Sequence, residues 1–254
     1  MSPSLTVYGA GDLGTLAIKV YQDLYADARI YGVTKTDRRH EALKALNINP
    51  VIEHQTLPPS TNVLISIPPQ PGLLNLIRQA LENWDRTGAF LLISSTRVYA
   101  EESGNEVHEN SQVTASSPLL EAETLVLDQG GMVLRLAGLY DEYKGPHRFI
   151  QEKKTTSGPA NSFLNLIHTQ DAAHLAVRCL QSGTARKIYL GCDDVPMSRQ
   201  DFVNLVVSEP QNIHYTETNQ LGKRCNNQWT RQALNWSPQY TSFKSWWERR
   251  HLSL

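Results

Sequence analysis

The chain has 254 residues, enough for one large domain or for one domain with a small appendage. Charged residues make up 19% of it and the formal net charge is −1, so no broad field would attract nucleic acid or an anionic membrane surface. Three cysteines without a CxxC pair argue against a disulfide framework or a structural zinc site, and favour free thiols in a reducing compartment.

The N-terminal residues show no basic run followed by an apolar stretch, so the sequence predicts no signal peptide. No segment approaches the roughly 20 apolar residues that a membrane span requires. The histidines are scattered without metal-ligand spacing. We therefore expect a cytoplasmic protein without a metal that binds neither nucleic acid nor membrane.

The first predicted strand is the apolar run Leu5–Tyr8, and the pattern GxGxxG follows it directly at Gly9–Gly14. A helix is predicted next, because apolar residues recur at helical spacing and would pack one face onto a sheet. Its predicted buried positions are Leu13, Leu16, Ala17, Val20 and Leu24.

Each glycine of this turn has a physical explanation. Gly9 would allow the tight turn, Gly11 would let the backbone approach a pyrophosphate, and Gly14 would let helix and strand pack closely. The helix start, with Asp12 and Leu13, would offer free N–H groups and partial positive charge to phosphates. The strand-turn-helix context therefore predicts a dinucleotide-binding turn.

The second predicted strand, Arg29–Val33, indicates which dinucleotide is bound. Its tip residue is Thr34 rather than an acid, and Lys35, Arg38 and Arg39 follow. Because a guanidinium matches a phosphate bidentately, this loop favours NADP over NAD. Two alternatives stay open: Asp37 as a ligand of the ribose, or an ordinary solvated basic loop.

The next predicted strand, Asn62–Ile67, runs into the proline-rich segment Ser66–Pro69. Ligands of doubly wound sheets lie across the carboxyl ends of the strands, so we expect Ser66, Ile67 and Pro68 to border the cofactor. A helix with Leu73, Leu74, Ile77 and Leu81 follows. The strand Ala89–Ser94 then brings Ser94 to the same edge of the sheet.

A third helix is predicted around Leu119–Val126, ended by Gly130-Gly131, and Met132–Leu136 is the fifth predicted strand. These strands are continuous apolar runs, as expected for strands buried on both faces. The fold class is therefore α/β: a Rossmann-type doubly wound parallel sheet with a small C-terminal mixed α/β lobe.

The predicted division assigns residues 1–142 to a nucleotide-binding domain, with 165–191 returning to it. Residues 143–164 and 192–254 would form the small substrate-type lobe. In this half we predict a loop at Asp141–Gly158, a helix at Asp171–Leu180 and a strand at Lys187–Leu190. Trp236, Trp246 and Trp247 are expected to supply bulk for the lobe's core.

Four segments carry a family resemblance and span nearly the whole chain: Ile93–Tyr99 (ISSTRVY), Val133–Tyr140 (VLRLAGLY), Asn165–Ala173 (NLIHTQDAA), and Gly222–Asn227 with Leu234–Pro238. With them, the chain resembles the extended short-chain dehydrogenase/reductase superfamily of nucleotide-sugar epimerases and dehydratases. It is most similar to atypical members with GxGxxG at the glycine turn. The resemblance implies an NAD(P)-dependent oxidoreductase or epimerase that acts on a small-molecule substrate, and a homodimer.

The resemblance also implies catalytic residues, of which only one is present. Ser95 matches the family residue that hydrogen-bonds the reacting group. The family's Tyr-x-x-x-Lys pair is missing: aligning on Glu123 puts Ala115 at the tyrosine and Leu119 at the lysine, and no tyrosine lies between Tyr99 and Tyr140. Without a phenol of lowered pKa, the standard proton relay is not available.

Five residues are candidates for a replacement proton donor: Tyr99, Tyr140, Tyr143, His147 and His168. Each also has an ordinary structural explanation. Tyr99 and Tyr140 would pack at strand ends, His168 would orient a loop, and His147 would lie on a surface loop.

Arg97 is a candidate to bind cofactor phosphates or an anionic substrate, or to form a surface salt bridge. The remaining cations would either contact a phosphorylated substrate or belong to a solvated face, and the solvated face is the preferred interpretation. These cations are Arg148, Lys153, Lys154, Lys223 and Arg224.

Two functions stay open: an NADP-dependent enzyme with a non-standard proton donor, or a non-catalytic NADP(H)-binding redox sensor or regulator.

Overall fold

A computed structural model describes residues 3–250, so the ends of the predicted ranges 1–142 and 192–254 lie outside the described residues. The strands are β1 (Ser4–Tyr8), β2 (Arg29–Thr34), β3 (Asn49–Ile52), β4 (Asn62–Ile65), β5 (Phe90–Ser95), β6 (Ser103–Val107), β7 (Met132–Leu136), β8 (Gly138–Tyr140), β9 (Phe163–Leu164), β10 (Leu166–His168), β11 (Ile188–Gly191), β12 (Met197–Ser198) and β13 (Gly222–Cys225).

The helices are α1 (Asp12–Leu24), α2 (His40–Lys44), α3 (Leu73–Asn83), α4 (Pro118–Asp128), α5 (Pro146–Lys153), α6 (Thr169–Ser182), α7 (Arg199–Val206), α8 (Gln228–Leu234) and α9 (Phe243–Arg250). Four helices have eleven or more residues, namely α1, α3, α4 and α6, and the others have five to eight. Single 3₁₀ turns lie at Asp37–Arg39, Thr96–Val98 and Pro210–Asn212.

The central sheet has seven strands in the order β3-β2-β1-β4-β5-β7-β11. The pairs from β3 through β5 are parallel. Because the chain leaves β1 toward β2 on one side and later adds β4 on the other, the strand order reverses between β1 and β4. Such a switch point opens a crevice at the carboxyl ends of the two strands.

The sheet and helices confirm the predicted α/β Rossmann-type class. Every residue of β1, β4 and β7 is buried, as continuous apolar runs in a sheet covered on both faces require. Helix α1 buries Ala17 and Val20 as predicted. The prediction that Leu24 lies on that buried face was wrong, since Leu24, in the last turn of the helix, is 52% exposed.

Sequence reasoning erred most at short elements. The predicted loop Asp141–Gly158 contains helix α5, which starts with Pro146 at its first turn and buries His147 and Ile150 three residues apart. Glycine and proline there mark the start of a helix rather than an extended loop. Strand β3 was missed because it is an edge strand of four residues that contains Pro50.

The chain divides into two compact units. The first comprises Met1–Ser95, Ala115–Arg135 and Ala173–Tyr189. The second comprises Thr96–Thr114, Leu136–Ala172 and Leu190–Leu254. The core of the second unit includes an aromatic cluster with Tyr140, Phe243, Trp246 and Trp247, while Trp236 is half-buried and outside it. Within residues 3–250, no helix is long and apolar enough to cross a membrane.

Candidate functional site

The glycine-rich turn lies at the carboxyl end of β1, in the first unit, and leads into α1. Gly9 has φ +88°, a conformation that favours glycine. The N–H groups of Gly9 and Ala10 both donate to the carbonyl of Val33, at 3.0 and 3.2 Å. These bonds tie the turn to β2, so its backbone is held by the sheet.

The three glycines of the motif differ in how much space the surrounding chain would leave for a Cβ atom. A Cβ at Gly9 would lie 2.4 Å from the carbonyl oxygen of Ser66, and one at Gly14 would lie 2.3 Å from that of Gly9. A Cβ at Gly11 would meet nothing of the chain closer than 4.0 Å, and Gly11 has an ordinary φ of −79°. The packing of the chain therefore explains Gly9 and Gly14 but not Gly11.

Helix α1 starts beside this open space. Gly11 is its N-cap and gives no side-chain hydrogen bond to the first turn, and the first intrahelical bond runs from Thr15 N–H to the Gly11 carbonyl at 2.9 Å. The helix start therefore presents backbone N–H groups and partial positive charge. Helix starts of this kind bind anions in many proteins, and the predicted pyrophosphate contacts Gly11, Asp12 and Leu13 lie at this one.

The tip of β2 carries the basic residues that the sequence singled out. Lys35, Arg38 and Arg39 are all exposed, and Arg39 forms an ion pair with Asp12 at 3.3 Å. The Thr34 hydroxyl donates to the carbonyl of Thr36 at 2.9 Å and lies 2.9 Å from Nε2 of His40.

His40 contacts Thr34 and therefore lies at the tip of β2, a position that sequence reasoning missed. Its only signal in the sequence was its position directly after the basic run.

The segment after β4 closes the other side of the turn. The Ser66 N–H donates to the carbonyl of Tyr8 at 2.8 Å, which extends the β1–β4 pairing past the end of the strand. Ser66 and Ile67 are half-buried and Pro68 is exposed. The structure thus brings Ser66 next to Gly9, at the switch point of the sheet.

The end of β5 holds two serines with different environments. Ser94 is buried, and its hydroxyl donates to Glu123 in α4 at 2.5 Å. Glu123 is in turn bound by Arg135 through Nε at 3.1 and 3.2 Å and through Nη2 at 2.6 Å. Ser95 is half-buried at the last position of the strand. The Ser94 hydroxyl is therefore engaged in a buried ion-pair network, and its nucleotide contact remains a prediction.

The two positions at which the family resemblance predicts the tyrosine and the lysine carry no titratable group. Ala115 is exposed ahead of α4, and Leu119 is buried in its first turn. The segment from Ala100 to Leu139 contains neither tyrosine nor lysine.

The candidate replacement donors all lie in the second unit, and four of the five are buried. Tyr99 is 2% exposed, and Tyr140 is fully buried. Burial raises the pKa of Tyr140 far above its ordinary value, and the nearby Asp193 adds to the effect. Tyr143 is 81% exposed.

Both candidate histidines are neutral at neutral pH. His147 is fully buried, so its expected place on a surface loop was wrong: it packs on Phe243, Trp246 and Trp247. Burial lowers the pKa of His147 to about 4, and lowers the pKa of His168 to about 4 as well. Neither has the pKa of a group poised for proton transfer near pH 7.

A cavity of about 440 Å³ lies within the second unit. Its lining includes three cationic side chains, Arg97, Arg199 and Lys223, and no aspartate or glutamate among the described residues that line it. Sequence reasoning named Arg97 and Lys223 but missed Arg199, which stands alone between polar residues and follows no recognised motif. The other basic candidates, Arg148, Lys153, Lys154 and Arg224, do not line this cavity.

No metal centre is formed by the part of the chain that the structure describes: no three His, Cys, Asp or Glu side chains in residues 3–250 are grouped to hold an ion. Of the cations outside the cavity, Arg148 donates to the carbonyl of Glu142 at 2.9 Å and Arg224 to that of Gly104 at 2.9 Å. These two guanidinium groups have local structural roles.

Comparison with solved structures shows the fold in proteins that act on or bind nucleotides. A nucleoside-diphosphate-sugar epimerase from Pseudomonas aeruginosa superposes with a TM-score of 0.77 at 13% identity, over 98% of this chain and 96% of that one. A dTDP-glucose 4,6-dehydratase from Bacillus anthracis, in complex with NAD, superposes with a TM-score of 0.71 at 13% identity, over 99% and 98%.

A human epimerase family protein with NADPH gives a TM-score of 0.72 at 12% identity, over 99% of this chain and 100% of that one. At these identities the likeness establishes the fold alone. No family model matches the sequence, and a search of the curated proteins finds no significant relative.

Proposed function

We propose that this chain is an NADP-binding protein of the epimerase/dehydratase-like short-chain dehydrogenase/reductase superfamily. The observation that carries the proposal is Gly11: it is a glycine that the packing of the chain does not require, at the uncapped start of α1, beside the β1–β4 switch point. Neighbours of the same fold were solved with NAD or NADPH, which supports a nicotinamide cofactor.

The preference for NADP over NAD is supported by charge at the tip of β2. Thr34 stands where NAD sites often carry an acid, and Lys35, Arg38 and Arg39 follow it with exposed side chains. A 2′-phosphate placed there would meet Arg39, which forms an ion pair with Asp12 at the start of α1. Asp12 already neutralises part of the Arg39 charge, so we assign the larger share of selectivity to Arg38 and Lys35.

We propose an oxidoreductase or epimerase with a non-standard proton donor as the activity. Ser95, at the end of β5, would hydrogen-bond the reacting group of a small-molecule substrate. The bound nicotinamide would supply hydride transfer. Of the five candidate donors, only Tyr143 is openly exposed, and it is the first to test.

A second function is favoured by one specific observation. In the alignment that the resemblance implies, Ala115 and Leu119 stand at the family's tyrosine and lysine positions, and neither side chain can exchange a proton. A protein that binds NADP(H) without turnover, as a redox sensor or regulator, would need the glycine turn but no proton relay. Turnover therefore separates the two functions.

The first experiment tests the nucleotide turn. NADPH and NADH are titrated by fluorescence into the wild-type chain and into Gly11→Val. We expect the variant to stay folded, because a Cβ at residue 11 meets nothing of the chain closer than 4.0 Å, and to lose NADPH affinity by about tenfold or more. The comparison variant Gly14→Ala should instead lose stability, because its Cβ would collide with Gly9.

Unchanged NADPH binding by a folded Gly11→Val chain would refute the placement of the site. Binding of neither nucleotide by the wild-type chain would refute both functions. If NADPH binds, its oxidation is followed with a panel of carbonyl and nucleotide-sugar substrates. Turnover supports the enzyme, and tight binding without turnover across the panel supports the sensor.

The second experiment tests cofactor choice. Replacing Arg38 and Arg39 together with alanine should weaken NADPH more than NADH, by about tenfold in the ratio of their dissociation constants. Lys44→Ala is the matched control, since it removes an exposed charge from the neighbouring helix α2. An equal loss for the two nucleotides would contradict the assignment of the 2′-phosphate.

A further inference from the structure

The imidazole ring of His40 is held against the tip of β2 by one defined contact. His40 is half-buried at the start of α2, and its Nε2 lies 2.9 Å from the hydroxyl oxygen of Thr34. The single hydrogen of that hydroxyl faces carbonyl oxygens: it is donated to Thr36 at 2.9 Å, and the carbonyl of Val51 lies 3.5 Å away. The Thr34 oxygen therefore accepts from His40, so Nε2 carries a hydrogen.

The second ring nitrogen of His40, Nδ1, is the atom that can take up a further proton. Because Nε2 carries the hydrogen of the neutral ring, Nδ1 carries its lone pair, and within residues 3–250 Nδ1 forms no hydrogen bond. Protonation would make Nδ1 a second donor and would leave the bond from Nε2 to Thr34 intact. The ring can thus gain a positive charge without moving from the strand tip.

The charged residues on the segments around His40 nearly balance. These segments are the loop between β2 and α2, helix α2 itself, the start of α1 and the residues that follow β3. The cations are Lys35, Arg38, Arg39 and Lys44, the acids are Asp12, Asp37, Glu41 and Glu53, and the other histidine is His54. Arg39 pairs with Asp12 at 3.3 Å. Lys44 pairs with Glu41 at 2.8 Å. Against this balance, one proton added to His40 changes the local charge by a full unit.

We propose that His40 makes the preference for NADP(H) over NAD(H) depend on pH, by adding a positive charge beside the 2′-phosphate when its ring is protonated. The inference rests on the proposed function, which places the 2′-phosphate at the tip of β2. NAD(H) has a neutral hydroxyl at the same position and would not respond to this charge. Histidine ordinarily changes its charge between about pH 5 and pH 8, so the share of the preference that His40 supplies should decline as the pH rises.

The test measures the dissociation constants of NADP⁺ and NAD⁺ at pH 6 and pH 8, at constant ionic strength, for the wild-type chain and for His40→Gln. The 2′-phosphate itself takes up a proton near about pH 6 with every chain, so the comparison between chains isolates the contribution of His40. We expect the NADP⁺ preference of the wild type to exceed that of His40→Gln by about fivefold at pH 6 and by less than about twofold at pH 8.

Two further variants separate the charge of the ring from its position. Lysine keeps its charge at pH 8, so His40→Lys should retain at pH 8 the preference that the wild type shows only at the lower pH. His54→Gln is the matched control, because His54 is an exposed histidine beyond β3 that forms no bond with Thr34 in the described part of the chain. It should match the wild type at both pH values.

Equal preferences of the wild type and His40→Gln at pH 6 would overturn the inference. A loss of the same size at both pH values would overturn it too, because an uncharged ring would then account for the effect, and so would an equal loss in His54→Gln. Failure of the proposed function gives a different result. A wild-type chain that binds NADP⁺ no more tightly than NAD⁺ at either pH refutes the assignment of the 2′-phosphate, whatever the variants do.

Discussion

Each unit of this protein removes a guanidinium from water, but the two do so in different ways. In the first unit, Arg135 is 3% exposed and binds Glu123 through two of its nitrogens, while Ser94 adds a further hydrogen bond to the carboxylate. In the second unit, Arg199 is anchored by Ser162 alone and lines an open cavity. Removing one partner of the closed network leaves the other charge buried and unpaired, whereas Arg199 has no carboxylate partner among the described residues.

The largest effect is expected where the closed network is broken. Glu123→Gln removes the carboxylate charge from a buried guanidinium and should lower the free energy of unfolding by about 3–5 kcal/mol, measured by urea denaturation. The double variant Glu123→Leu with Arg135→Met removes both charges together and should recover most of that loss.

Arg199→Met provides the contrasting measurement. It should change the free energy of unfolding by less than about 1 kcal/mol, or raise it, because no buried partner is left behind. A loss as large as that of Glu123→Gln would show that Arg199 is a structural cation, and the comparison would fail.

A smaller effect is expected on the pH dependence of the free energy of unfolding, to which the buried His147 in the core of the second unit contributes. Neither ring nitrogen of His147 has a hydrogen-bond partner in residues 3–250, and burial lowers the pKa of His147 to about 4 from an ordinary value of 6.5. Between pH 6.5 and 4 the His147 side chain is protonated in the unfolded chain but stays neutral in the folded chain. This histidine therefore makes the free energy of unfolding fall with falling pH, by about 1 kcal/mol per pH unit at most.

His147→Leu should flatten this dependence and cost less than about 1.5 kcal/mol at pH 7, since it changes the packing on Phe243, Trp246 and Trp247 but removes no hydrogen bond of the ring. Urea denaturation at pH 7 and pH 5 measures both quantities. The exposed His54 in the first unit gives the control variant His54→Leu, which should leave the slope intact. An unchanged slope in His147→Leu would assign the dependence to other groups, His168 first.

The long elements of the sheet were predictable from sequence because their signals are local. Continuous apolar runs such as Met132–Leu136 have few alternatives to a strand buried on both faces. The glycine turn is similar, since spacing and context alone place it between β1 and α1. The short elements were not predictable, because β3 and α5 owe their stability to neighbours that periodicity does not reveal.

The sequence by itself determined the α/β class, the strand-turn-helix at Gly9–Gly14 and the basic run after Thr34, because each depends on residues adjacent along the chain. Only the tertiary structure decided that Gly11 faces open space while Gly9 and Gly14 face backbone. It also decided that Ser94 serves a buried ion pair and that Arg199 and Lys223 meet in one cavity. Those facts depend on distances between segments far apart in sequence, and spacing along the chain does not encode them.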